Sequence, residues 1–363
     1  MTQTAKKSPF SMNVDLMHGP IFKNLLLFML PIFISNLFQQ LYNTVDTMIV
    51  GNVLGDTALA AIGSCGSIYE LLVGFGLGIG NGLAIVAARS YGAQDEDLLK
   101  RTVVGSVVIG LIASLVITTA GFFGLHALLQ LLDTPAEILE DAYSYIIVID
   151  LGVVVMFMYN LCAGLLRAIG NSVMPLVFLL ISSGLNVVLD LLFIARMGMG
   201  VQGAAVATVL SRYTETAIVV IWAHTHEKEN TYMTGLYKTL SVPRDHVKKY
   251  FIKGTPLLLN EALWSFGMAV LAQNYSVRGL TVIAAMNIAN TINNLFSVVF
   301  AAMGESVAII VGQALGFGDM KRAREIDNKM IVSCVLISFA VSVFMFLFAP
   351  FFPRIYNTTE AVR

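Results

Sequence analysis

The sequence predicts an all-α membrane protein on three observations: an apolar composition, repeated apolar runs long enough to cross a bilayer, and a strong bias of Lys and Arg to alternate loops. Of 363 residues, 57% are hydrophobic and only 12% are Asp, Glu, Lys or Arg, where a soluble domain carries about 25% charged residues. The mean hydropathy is +0.78. So little charge cannot cover a chain of this size with a water-compatible surface. Soluble α/β enzymes also contain apolar strands, but polar turns interrupt them every ~4–8 residues, whereas the runs here reach about 20 residues, the length of a membrane-crossing helix. A membrane β-barrel would alternate polar and apolar residues, and Val103 to Ile117 does not.

Nine spans follow, at roughly 25–50, 58–88, 102–125, 143–166, 172–195, 201–223, 252–275, 281–311 and 330–352. The first holds Pro31 and a polar series, Gln39, Asn43 and Asp46. Its apolar run is too long for a cleaved signal and lacks a small-residue cleavage site, so it stays in the mature chain. The second carries Gly74, Gly76, Gly78, Gly80 and Gly82. These suggest a phosphate loop, but no GKS or GKT tail follows, and the four-residue spacings fit close helix packing or bending. The third carries no charged residue, the fourth contains Asp150, the fifth Asn186 and Asp190, and the sixth Thr208, Arg212 and Glu215. The seventh begins near Asn260, Glu261 and Trp264, the eighth spaces Asn287, Asn290 and Asn294 along one face, and the ninth is again apolar.

Assigning loops alternately collects most of the 22 Lys and Arg residues on one side, which places the N-terminus in the cytoplasm. Topology alone accounts for the basic residues, and a net charge of −1 argues against a nucleic-acid partner. Membrane lipids and a small molecule are the expected partners, with a monomer as the expected state. Cys65, Cys162 and Cys334 fall inside spans without CxxC spacing, so no disulfide or zinc site is expected. His224 and His226 form a near pair at a span end and read as a solvated helix terminus.

An internal repeat organises the chain. At a shift of 224 residues Ala61 meets Ala285, Gly80 meets Gly304, Ala84 and Ile85 meet Ala308 and Ile309, Gly92 meets Gly316, and Asp95 meets Asp319. Six spans separate the copies, an even number, so both enter the membrane from the same side and are related by an axis along its normal. The sequence then divides into an N-lobe of six helices at 1–226, a cytoplasmic linker at 227–250, and the first three helices of a C-lobe at 251–363. Two pseudo-symmetric six-helix lobes are expected, with about nine transmembrane helices present of an expected twelve, so the chain reads as C-terminally truncated.

Charge inside a bilayer costs roughly 2.5 to 3.5 kcal/mol per Asp, Lys or Arg at a helix centre, so each intramembrane acid is a functional candidate. Asp46 shares a face with Gln39 and Asn43, Asn186 shares one with Asp190, and Thr208 is available from the sixth span. Such a stripe suits proton or sodium coupling: oxygens of amides and hydroxyls coordinate Na⁺, and an apolar setting favours a protonated carboxyl. The alternative is interhelical hydrogen bonding. Glu261 beside Trp264 suits a lipophilic cation through charge and cation–π attraction, with a helix-end acid in water as the alternative. Asn287, Asn290 and Asn294 line a cavity or merely pack. Arg212 and Glu215 read as an internal ion pair, Asp150 and Glu70 as intramembrane candidates with a place near the outer surface as an equal alternative, and Glu305, which replaces Asn81 of the first copy, as an acid that reaches solvent. No catalytic triad, nucleotide loop or cofactor site is found, which argues against an enzyme. Apart from Na⁺ at Asp46, Asn186 and Asp190, no metal site is expected.

The run Leu41-Tyr-Asn-Thr-Val-Asp-Thr-Met-Ile-Val-Gly-Asn-Val-Leu-Gly55, the Gly164-Leu-Leu-Arg-Ala-Ile-Gly-Asn171 turn, Asn186-Val-Val-Leu-Asp190 followed by Gly203-Ala-Ala-Val-Ala-Thr208, and Glu261 together resemble the multidrug and toxic compound extrusion (MATE) family. The resemblance covers residues 20 to 350 or so. It implies two six-helix lobes around a V-shaped cavity and export of cationic drugs or dyes by H⁺ or Na⁺ antiport. Asp46, Asn186 and Asp190 then form an N-lobe ion site and Glu261 contributes to a C-lobe cation site. The family's C-lobe site also draws on a tenth-span acid, whose helix this sequence lacks. A lipid-linked sugar or polysaccharide flippase of the same superfamily is the rival reading, and should show several Arg or Lys in its cavity.

Overall fold

In a computed structural model of the chain, the structure describes residues 14–17, 19–132, 134–227, 230–233, 236 and 280–348, with scattered positions between 259 and 274. Among the described residues the secondary structure is helical throughout. Helix α1 spans Ile21–Leu54, α2 Asp56–Ser64, α3 Gly66–Gly92, α4 Glu96–Leu131, α5 Ala136–Leu151, α6 Val153–Ala168, α7 Val173–Asp190 and α8 Gly200–Thr225; α9 covers Leu280–Phe317 and α10 Met320–Phe348. Seven of these helices, or eight if the bent pair α5 and α6 counts as one span, are long and apolar enough to cross a membrane. The predicted span at 252–275 lies outside the described residues, apart from isolated positions.

Local chemistry sets the breaks. The span predicted at 58–88 is two helices, because the Cys65 N–H bonds back only three residues, to Ile62, at 3.0 Å, and its thiol donates to the Ala142 carbonyl at 3.3 Å. The span predicted at 143–166 is likewise two helices, α5 and α6, bent by 45° at Gly152. Pro31 lies inside α1 and can donate no backbone bond; its own carbonyl accepts the Ser35 hydroxyl at 2.8 Å. After Asp190 the chain widens into one π-type turn, Leu191–Arg196, closed by the Met197 N–H donating to Leu192 at 2.9 Å. Such turns recur beside functional residues.

The glycine-rich α3 packs on α6. A Cβ at Gly80 would stand 3.0 Å from Asn160 Cβ, and one at Gly164 would stand 2.8 Å from Ala84 Cβ, so small residues on both helices permit the approach. The rest of the interior is aliphatic and aromatic. One cluster gathers Leu25, Phe28 and Ile32 of α1 with Phe157, Leu161 and Leu166 of α6 and Ile309 and Ile310 of α9.

The repeat is visible as geometry. Gly92 of α3 rests on the backbone of Gln313 in α9, and Gly316 of α9 rests on the backbone of Arg89 in α3. At the 224-residue shift Arg89 corresponds to Gln313 and Gly92 to Gly316, so the two contacts are images of one another, the reciprocity a two-fold axis imposes. The turns that follow match as well. Gln94 (φ 54°) and Gly318 (φ 83°) both occupy the left-handed region. The Asp95 carboxylate then accepts the Leu98 N–H at 2.9 Å, and that of Asp319 accepts the Arg322 N–H at 3.0 Å, capping α4 and α10 alike.

A short N-terminal segment crosses this end of the bundle. The Val14 N–H donates to the Gly170 carbonyl at 3.0 Å, and Arg322 Nε donates to the Met17 carbonyl at 3.1 Å. Leu16 is buried between them.

Candidate functional site

A cavity of about 860 Å³ opens between α1, α3, α6 and α9. Its wall carries several carboxamides, with Asn36, Gln39, Gln40 and Asn43 from α1, Asn81 from α3, Asn160 from α6 and Asn294 from α9. Asp46, Glu70 and Glu305 add carboxylates, and Tyr69, Tyr145 and Tyr159 add aromatic surface. Arg167 is the single Arg or Lys in the lining among the described residues. The polar residues read on one face of the first span, Gln39, Asn43 and Asp46, do face a common space.

At one side of the cavity Asp46 reaches into the N-terminal helices. Its carboxyl group stands within hydrogen-bonding reach of that of Asp190, which is fully buried at the end of α7. Asn186, one turn earlier, is 1% exposed, and Thr208 on α8 is buried near the Tyr42 hydroxyl of α1. Asp46 Oδ1, both oxygens of Asp190 and both polar atoms of the Asn186 amide lack a hydrogen-bond partner among the described residues. Ionised carboxylates are acceptors only, so two of them can face each other stably only with a proton or a cation between. Carboxylate, amide and hydroxyl oxygens are also a hard-donor set of the kind that binds Na⁺. Four of the five residues expected to couple ions, Asp46, Asn186, Asp190 and Thr208, therefore gather at one place; Gln39 lies two helical turns along the same cavity wall.

Beside this cluster Arg212 Nη1 donates to Glu215 Oε2 at 2.7 Å, with the Glu215 side chain fully buried and that of Arg212 10% exposed. The guanidinium also sits 5.7 Å from the Tyr42 ring centroid and 5.5 Å from that of Tyr159, a double cation–π seat. The ion pair expected from their spacing is present.

The acids read singly find specific settings. Glu305 lines the cavity and is not a free solvated acid: its carboxylate pairs with the Arg167 guanidinium, and both side chains are 13% exposed. Asp150 is fully buried among protein atoms where α5 meets Gly121 of α4, with neither carboxyl oxygen partnered among the described residues. Glu70 is exposed and lines the cavity. Of the C-terminal candidates Asn294 lines the cavity and Asn290 is exposed without lining it. Glu261 and Trp264 lie outside the described residues, as does the side chain of Asn287.

Arg167 went unrecognised as a site residue because it falls at a span end, where a basic residue is explained by topology. One signal pointed to it. Within the repeat Glu305 is an acid where the first copy has Asn81, and an unmatched buried acid calls for a partner.

Long apolar helices, pseudo-two-fold related and surrounding a polar cavity, define a polytopic membrane transporter. The family model described as MatE matches residues 31–192 and 256–363, and the chain belongs to this family, that of multidrug efflux transporters. It is 28% identical over 309 residues to the probable multidrug resistance protein YpnP of Bacillus subtilis, covering 85% of this chain and 68% of that protein. To the probable multidrug resistance protein YoeA of the same organism it is 23% identical over 333 residues, covering 91% and 72%. Its structure resembles the outward-facing conformation of a multidrug resistance MATE family transporter of the MOP superfamily, with a TM-score of 0.86 and 27% identity over 96% of this chain and 77% of that one.

Proposed function

We propose that the chain exports organic cations, such as lipophilic drugs or dyes, across a bacterial inner membrane in exchange for inward-moving H⁺ or Na⁺, with its N-terminus in the cytoplasm. The observation that supports this best is the double position of Asp46, which lines the cavity and also faces the buried Asp190 carboxyl. One carboxylate thereby belongs to both the space a substrate would enter and the pair that needs an ion. An ion entering between Asp46 and Asp190 neutralises the wall that attracts a cationic substrate, and a substrate entering the cavity favours the ion's departure. Exchange then follows from competition for negative charge, because each ligand weakens the other by the same factor.

The acids of the cavity suit a cation, and its tyrosines offer ring faces to an aromatic one. One H⁺ or Na⁺ entering for one monovalent cation leaving moves no net charge, so the membrane potential cancels and the ion's own gradient drives export, about tenfold in drug for each tenfold in ion. Neither a nucleotide nor another cofactor enters this scheme. Residues 1–226 act as the N-lobe, 227–250 as the cytoplasmic linker and 251–363 as C-lobe helices, with Glu261 and Trp264 as C-lobe substrate contacts; the working unit is a monomer in lipid. A flippase for a lipid-linked sugar is disfavoured by the single, already paired Arg167 in the described lining, since a phosphate-bearing headgroup calls for several cations.

Ethidium efflux from energised cells or vesicles tests the reading. Wild-type chain is expected to lower internal dye against a gradient and Asp190→Asn to abolish this; wild-type protein that moves no organic cation overturns the reading.

A further inference from the structure

Arg167 and Glu305 meet at the floor of the cavity. Arg167 ends α6 and Glu305 lies within α9, so their ion pair joins the two copies of the repeat. Beneath them the wall is closed by packing: Gln313 Nε2 donates to the Ala168 carbonyl at 2.7 Å, and Gly92 and Gly316 sit on the backbones opposite. The ion pair is therefore a charged layer between the cavity and the packed end of the bundle.

Two features set this pair apart from a merely structural one. Arg167 is incompletely held: its Nε is buried and has no hydrogen-bond partner among the described residues. Glu305 is also specific to one half, since the equivalent Asn81 lines the same cavity without a charge. In a poorly hydrated site the attraction between such charges is largely offset by the cost of desolvating them. Glu305 accordingly requires a cation but discriminates weakly between one cation and another.

We propose that Glu305 is a binding carboxylate for the transported organic cation, occupied at rest by Arg167, and that the arriving cation displaces Arg167 and breaks this ionic tie between α6 and α9. The proposal rests on the organic-cation reading above. A cationic substrate in the cavity would then loosen the closed end of the transporter by removing the ion pair that helps to hold it, while an empty cavity restores the pair. Arg167 acts as a built-in competitor, setting how strongly a substrate must bind before that end opens.

The test is equilibrium binding of tetraphenylphosphonium to the purified full chain in detergent or nanodiscs. Glu305→Gln is expected to weaken binding about tenfold or more, whereas Arg167→Gln, which removes the competitor, tightens it several-fold. The double variant, which carries no unpaired buried charge and so guards against misfolding of either single one, should bind as weakly as Glu305→Gln alone. Opposite signs for the two single variants separate the proposal from a structural role, which would weaken binding in both. Equal weakening, or wild-type affinity for Glu305→Gln, overturns the assignment of Glu305 while leaving the exporter reading in place. Wild-type protein that takes up no tetraphenylphosphonium overturns both.

Discussion

The carboxyl groups of Asp46 on α1 and Asp190 at the end of α7 face each other within hydrogen-bonding reach, one lining the cavity and the other fully buried. Because neither carboxylate can donate, the arrangement is stable only when something positive lies between them. The cavity and the ion cluster are thus two sides of one residue, and the predictions below probe the framework that holds them in place.

The reciprocal contacts of Gly92 and Gly316 should be equally intolerant of a side chain. A Cβ at either position would collide with backbone of the opposite helix, where no flexible atom can yield. Gly92→Ala and Gly316→Ala are each expected to cost about 1–3 kcal/mol, read as a lowered thermal transition in detergent. Loss at only one of the two sites would show that the two-fold relation of α3 and α9 is not maintained in solution.

Arg212 and Glu215 should be strongly coupled. Removing either partner alone leaves a charge or an unmet polar group among buried helices, at about 3–5 kcal/mol, while replacing both with apolar residues of similar volume can be close to neutral. Thermal unfolding of Arg212→Met, Glu215→Leu and the double variant should show two damaged singles and a largely recovered double. Additive losses would mean that the cation–π seat on Tyr42 and Tyr159, and not the ion pair, carries the stability.

Arg322 should pin the N-terminal segment. Its guanidinium bonds the Met17 carbonyl from α10 while Val14 bonds Gly170 from the other side. Arg322→Ala is expected to speed limited proteolysis at residues 14–17 several-fold, since cleavage tracks local opening. Unchanged protection would assign the hold to the buried Leu16 instead.

Much of this was legible in the sequence, for identifiable reasons. A bilayer admits few structures, so composition and run length sufficed for the helical class. Gln39, Asn43 and Asp46 were readable as one face because helical spacing is local, and the same holds for Asn186 with Asp190 and for Arg212 with Glu215. The pairing of Arg167 with Glu305 was not readable, since it joins residues from different helices and each alone fits a plainer explanation. The packing of Asp150 was not readable for a related reason: the bend at Gly152 and the bare Gly121 surface that receives the carboxylate are tertiary features with no periodic signal. The repeat stands between these cases, because a shift of 224 residues can be read by alignment, yet only the structure reveals that Gly92 meets Gln313 where Gly316 meets Arg89.

The central claim is that an organic cation and a coupling ion compete through Asp46 and Asp190. Its most direct test is calorimetric titration of tetraphenylphosphonium into the purified protein in two buffers of different ionisation enthalpy, with and without Na⁺. Wild-type protein is predicted either to release ~1 proton per cation bound or to lose affinity in proportion to Na⁺, as reciprocal linkage requires, and Asp46→Asn and Asp190→Asn to do neither. Ion release from Asp190→Asn equal to that of the wild type, or cation binding insensitive to both pH and Na⁺, would contradict it.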